Sequence, residues 1–162
     1  MLTISMNMHS GSLRERFGFV LSRLARSWRH HLDTRLAPRG ISYARWVTLV
    51  YLQRDGEGMQ QRELADYMGI EAPTLVRTLD QLERLGLIER RPHPHYRRAK
   101  SIHLSADTSR DLATFSEAAA SVRHELLAGI DDVEIEACFK VLQQVLANAR
   151  RLERDDPPEG KP

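Results

Sequence analysis

Thr74, Arg77, Thr78 and Gln81 stand three and four residues apart, the spacing that sets them along one side of an α-helix. Leu75, Leu79 and Leu82 fall on the other side and mark it as the buried back. Small polar groups beside an arginine match the donors and acceptors on base-pair edges, and a single helix fits the major groove. A helical hairpin with a solvated face shows the same pattern, so spacing alone leaves both readings open.

The elements that must position these residues sit on either side of them. Leu64, Ala65 and Met68 share one face of a preceding short helix, Gly69 supplies the sharp turn, and Ile70 plugs the angle between the two helices. Downstream, residues 87–91 read as a strand and residues 99–104 as its partner, with Ile102 and Leu104 alternating inward. Between them Pro92-His93-Pro94-His95-Tyr96-Arg97-Arg98 is expected to turn, because two prolines prevent either strand from continuing. From Glu89 to Lys100 there are five Arg or Lys and one acid, whereas the whole chain carries only +2. The positive charge is therefore concentrated beside the polar-fronted helix, where contact with phosphates would require it. Two helices followed by a basic hairpin make a winged helix-turn-helix.

Other reactive side chains point to less. Arg26 and Arg29 share the first helix, and guanidinium forks suit a carboxylate; the plain alternative is surface charge or an interchain salt bridge. Cys138, the single cysteine, lies on an apolar stripe beside Phe139 with only Lys140 near it, so a buried structural thiol is favoured over a redox sensor. His93 and His95 flank Pro94 with His103 across the hairpin, yet no thiol or carboxylate completes a zinc site, and no metal is expected. His30 and His31 are expected to pack or face solvent. With no Ser-His-Asp constellation, phosphate-cradling loop or isolated carboxylate pair, neither catalysis nor a cofactor is expected.

The chain of 162 residues suits one domain, with 41% hydrophobic residues for a core and 28% charged for solubility. One cysteine excludes an internal disulfide framework and fits a reducing cytoplasm. No run approaches the ~18 apolar residues of a membrane span, and Met1 to Ser10 lacks the pattern of a secretory signal. The fold class predicted is mainly α, an α+β winged helix-turn-helix flanked by a helical dimerisation region drawn from both termini. Residues 1–10 form a flexible start, 11–54 dimerisation and linking helices, 55–104 the winged lobe, 105–153 further dimerisation helices, and 154–162 a disordered tail. The first helix runs from Leu13 to Leu36, where Pro38 and Gly40 end it; Ser42 caps a central helix over Tyr43–Gln53. Ser105 is expected to cap a long helix, Gly129 to break it, and Asp131 to cap the last. These terminal helices carry more apolar stripe than a small winged lobe covers. A twofold homodimer answers that excess, placing two reading helices ~34–36 Å apart on successive major grooves.

Trp46-Val47-Thr48-Leu49, the segment from Gly69 to Arg91, Arg97-Arg98-Ala99-Lys100 and Glu125-Leu126-Leu127-Ala128-Gly129-Ile130 resemble the MarR family, specifically its SlyA-like branch, over roughly Leu13 to Leu152. The resemblance implies a dimeric bacterial transcriptional regulator that binds a pseudo-palindromic double-stranded DNA operator and releases it when a small aromatic acid of the salicylate type enters a pocket. It implies groove reading by Pro73, Thr74, Arg77 and Thr78, and wing contacts by Arg97 and Arg98, one of them in the minor groove. Gln81 and Lys100 extend that DNA-binding set from the outward helix face and the wing. Arg26, Arg29 and Trp46 match pocket-lining positions. Ala44 and Val50 stand where SlyA-like proteins often carry polar groups, which shifts the expected ligand toward apolar molecules or leaves the pocket vestigial. Tyr96 stands where an acid usually braces the wing, so a looser wing is expected before DNA binds. Two competing classes are a winged-helix module docking an acidic protein through its basic wing, and a protein that sequesters a small ligand.

Overall fold

Ser12 starts the first helix through a reciprocal cap: its hydroxyl accepts from the Glu15 N–H at 3.3 Å, and its own N–H donates to the Glu15 carboxylate at 2.6 Å. In the computed structural model, which describes residues 12–93 and 100–155, α1 (Leu13–Leu36) then gives way to a 3-10 turn over Ala37–Arg39. Ser42 caps α2 (Tyr43–Tyr51), and the Asp33 carboxylate accepts from the Tyr43 N–H at 2.6 Å, fixing the corner between the two helices. The order continues as α3 (Gln61–Met68), α4 (Ala72–Arg84), β1 (Ile88–Pro92), β2 (Lys100–Leu104), α5 (Thr108–Leu126) and α6 (Asp132–Asp155).

Three boundaries differ from expectation, each for a local reason. The central helix ends at Tyr51 rather than Gln53, passing into one widened turn over Leu52–Gly56. A Cβ at Gly56 would sit 3.0 Å from the Tyr51 carbonyl oxygen and 3.1 Å from Leu64 Cδ1, so only glycine lets that turn close on α3. Pro92 belongs to β1, opposite Lys100, instead of to the turn. β1 is an edge strand, bonded on one side only, so a residue without an N–H is tolerated there. Ser105 does not cap α5: the Ser105 N–H and the Thr108 hydroxyl both donate to the Leu87 carbonyl, at 3.1 and 2.7 Å, and the helix starts after that tie.

The described residues divide after Leu126 into two compact units. In the first, Leu36, Leu49, Leu52, Leu64, Leu75, Leu79, Leu82 and Ile102 form the centre of a shared core. The buried Thr48 hydroxyl donates to the Ala44 carbonyl at 2.8 Å and so leaves no unmet polar group there. Arg35 ties α1 to α5, donating to the Ser121 hydroxyl at 2.6 Å and to both Glu125 oxygens at 2.9 and 3.0 Å. The N-terminal half of α1 leaves Leu13, Phe17, Phe19, Val20, Leu21 and Leu24 exposed.

The second unit is built on α6. The Asp131 carboxylate accepts from the Glu134 N–H at 2.8 Å, and the Asp131 N–H donates back to Glu134 at 3.2 Å, the cap expected from the sequence. Val133, Phe139, Val145, Leu146 and Leu152 are exposed along this helix. Cys138 is exposed with them, which corrects the expectation of a buried thiol: among the described residues of this unit nothing packs over its stripe. Among the described residues no helix is long and apolar enough to cross a membrane.

Candidate nucleic-acid interface

The turn between α3 and α4 is made by Gly69 at φ +66°, a left-handed conformation that side chains resist. Its closure is completed by the Ile70 N–H donating to the Ala65 carbonyl at 3.1 Å. Pro73 lies in the first turn of α4, where no N–H is needed. Leu75, Leu79 and Leu82 are fully buried, so α4 is held by its back. Pro73, Thr74, Arg77 and Gln81 are exposed on the front, with Thr78 half-buried beside them and its hydroxyl donating to the Thr74 carbonyl at 3.2 Å. The structure thus brings the five groove-reading candidates onto one presented face.

The hairpin that follows is antiparallel, pairing Ile88 with Leu104, Arg90 with Ile102 and Pro92 with Lys100. Residues 58–60 run along the free side of β2, a feature the sequence pattern did not suggest. The Gly58 N–H donates to the Ile102 carbonyl at 2.8 Å, the Ile102 N–H donates to the Met59 carbonyl at 2.9 Å, and Gln60 bridges to Ser101. This pairing buries Ser101 along with Ile102, where simple alternation would have turned it outward. It also anchors the hairpin root to the start of α3, since Gln60 is the residue that caps that helix. Lys100 is exposed at the outer end of β2; Tyr96, Arg97 and Arg98 lie outside the described residues.

Not all of the hairpin's positive charge faces outward. Arg90 is only 12% exposed, with its Nη2 2.7 Å from Asp80 and its Nη1 on Glu83, both acids of α4. Arg91 bonds the Glu89 carboxylate at 2.6 Å, and that hydrogen bond holds the Glu89 carboxyl below its ordinary range. The excess read from the sequence is therefore partly neutralised within the fold. Strand alternation carried the signal for Arg90, because it shares the inward face with Ile88. A cation on an inward face requires carboxylate partners. Between α3, α4 and β2 runs an open groove of about 500 Å³, lined by Gln60, Gln61, Arg62, Val76, Asp80, Arg90, Lys100 and Ile102.

The second set of candidates falls on α1 and α2. Arg29 places its guanidinium 5.9 Å from the centre of the Tyr43 ring, and Tyr43 lies 6.1 Å from the half-buried Trp46. The Trp46 indole nitrogen is buried without a hydrogen-bond partner among the described residues. Val50 shares that helix face one turn on, half-buried, and Arg26 is exposed one turn before Arg29. Ala44, two residues from Trp46 and exposed, falls on another side of α2 and does not join them. Tyr43, which links Arg29 to Trp46, was not singled out from the sequence.

Comparison with known proteins agrees with this architecture. The MarR family model matches residues 39–99. The crystal structure of the transcriptional regulator PA3341 is 44% identical, covering 83% of this chain and 98% of its own, with a TM-score of 0.74. CouR from Rhodococcus jostii RHA1, solved bound to p-coumaroyl-CoA, is 27% identical, covering 84% of this chain and 95% of its own, with a TM-score of 0.72. A mutant of MarR from E. coli complexed with operator DNA is 20% identical, covering 84% of this chain and 99% of its own, with a TM-score of 0.75. At that identity the last likeness is one of fold.

Proposed function

The chain belongs to the MarR family of transcriptional regulators, and from that premise we propose that it binds double-stranded DNA sequence-specifically as a homodimer on a pseudo-palindromic operator in the cytoplasm. The observation that carries this reading is α4: three fully buried leucines behind, and Pro73, Thr74, Arg77 and Gln81 exposed in front. Among the described residues Arg77 is held by no ion pair or hydrogen bond, which leaves its fork available for a guanine edge or a phosphate. Lys100, with Arg97 and Arg98 just before it in the sequence, would contact the backbone.

The homodimer is supported by the apolar side chains that α1 exposes and, separately, by those of α6, which one chain leaves wet. A second copy would cover Cys138 as well. The SlyA-like branch is supported by the sequence from Gly69 to Arg91.

A small aromatic acid would modulate the protein beside Trp46. Among the described residues its buried indole N–H has no partner and calls for an acceptor, and Arg29 and Arg26 supply the charge that would draw a carboxylate. CouR was solved with p-coumaroyl-CoA, which supports a small-molecule ligand in a relative of this fold but, as a thioester, not the free carboxylate itself.

The test is selection of preferred sites from random duplexes, repeated with salicylate present. The expected result is an inverted-repeat consensus whose binding weakens with the ligand. Equal, salt-fragile binding to every duplex would favour docking of an acidic protein through the wing. Tight ligand binding without effect on DNA would favour sequestration.

A further inference from the structure

We propose that Arg90 is a positioning residue for DNA reading: it touches no phosphate, and instead neutralises Asp80 and Glu83 on the flank of α4 while locking that helix to the hairpin. The inference rests on the DNA-binding reading above.

Three observations carry it. Arg90 lies on the inward face of β1 between Ile88 and its cross-strand partner Ile102, at 12% exposure, whereas Asp80 and Glu83 are 52% and 43% exposed. The acids are therefore the wet members of the cluster and the arginine the enclosed one. Asp80 and Glu83 are one helical turn apart, and two nitrogens of a single guanidinium reach them together. A lysine ammonium, a point charge on a flexible stem, lacks that fork. Finally, Asp80 directly precedes Gln81 and stands one turn beyond Arg77, on the shoulder of the face that would meet DNA.

Two uncompensated carboxylates at that shoulder would repel a phosphate backbone, and among the described residues the partly desolvated Arg90 is the cation paired with them. The same pair of bonds ties β1 to α4, and so holds the described part of the hairpin against the reading helix. Arg90 thus contributes to binding through charge and geometry that are already in place before DNA arrives.

The experiment measures duplex affinity across a salt series for Arg90→Met in two backgrounds, the natural chain and one carrying Asp80→Asn with Glu83→Gln. In the natural background the substitution is expected to weaken binding about tenfold, as loss of a charge-assisted pair beside the interface would. In the Asn/Gln background it is expected to change affinity less than about twofold, because no carboxylates remain to neutralise. Arg90→Lys, the safer variant for folding, should show a smaller loss confined to the natural background. An equal loss in both backgrounds, with a salt slope lower by about one unit, would mean that Arg90 contacts phosphate directly and would overturn the proposal. No loss in either background would overturn it too. Failure of the DNA-binding reading looks different: the natural chain itself would then show no sequence preference, whereas failure of the Arg90 role leaves that preference intact.

Discussion

α4 and the first half of α1 are both amphipathic helices, yet they end in opposite states. Leu75, Leu79 and Leu82 of α4 are 0% exposed, while Phe19 and Leu24 of α1 are 60% and 51% exposed. The reading helix finds its cover within the chain, under α2, α3 and β1. Among the described residues, α1 is buried toward its C-terminal end, at Leu32 and Leu36. The reading helix is therefore covered within one copy, whereas the outer part of α1 is exposed among the described residues. In the proposed homodimer such a chain would bury the back of each reading helix within one copy and leave the spacing of the two readers to the interface.

The contrast can be broken most severely at Leu79. Leu79→Ala leaves a cavity behind the reading face and is expected to cost about 2–5 kcal/mol of folding stability, read by thermal or urea unfolding. That cost should be independent of protein concentration if the winged body is self-sufficient. Phe19→Glu with Leu24→Glu should act in the opposite manner, with dimers giving way to monomers in sedimentation while the winged body retains its fold. A dimer that survives both charges would place the interface elsewhere.

Arg77→Ala tests the front of the same helix. Its expected cost is roughly 1–3 kcal/mol in affinity for the preferred site, with relaxed preference at one base pair, seen by titrating single-base variants. Arg97→Ala or Arg98→Ala should weaken binding to all duplexes alike and flatten the salt slope by about one unit. An unchanged slope in both variants would remove these two arginines from the interface.

The smallest effect belongs to the clasp between α1 and α5. Hydrogen bonds from Arg35 first, and then Ser121, hold the Glu125 carboxyl below its ordinary value of 4.5. A carboxyl with a depressed folded pKa adds stability that is full above the unfolded value and is lost as pH falls through the folded one. Glu125→Gln should thus lower the melting temperature slightly near neutrality and not at all in strong acid. A gap that persists in acid would show that the carboxylate charge is not what the clasp uses.

Much of this molecule was legible from residue order because the signals are short-ranged. The span of α1 followed from its apolar spacing and the Pro38–Gly40 stop, and the cap of α6 from Asp131 and Glu134. The fronts and backs of α3 and α4 followed from three- and four-residue periodicity. What escaped depended on partners distant in the chain. Ser105 looked like a cap until Leu87 claimed both its N–H and the Thr108 hydroxyl. Gln60 carried no strand signal, since one bridge to Ser101 leaves no periodicity.

The candidate ligand site shows the same division. Trp46 and Val50 share a face by spacing alone, and Ala44 departs from it by the same arithmetic. The ring of Tyr43 lying between Arg29 and Trp46 needed the corner that the Asp33–Tyr43 bond sets between α1 and α2.

Sequence by itself determined which side of the reading helix is apolar, where its turn must fall, and that cations gather in the hairpin, because these depend on residues within a turn or two of one another. Tertiary structure decided which of those cations remain available. Arg90 and Lys100 carry the same formal charge, yet one is enclosed against Asp80 and Glu83 and the other is exposed. The packing of β1 against α4 makes that distinction, through a contact whose partners lie seven and ten residues apart.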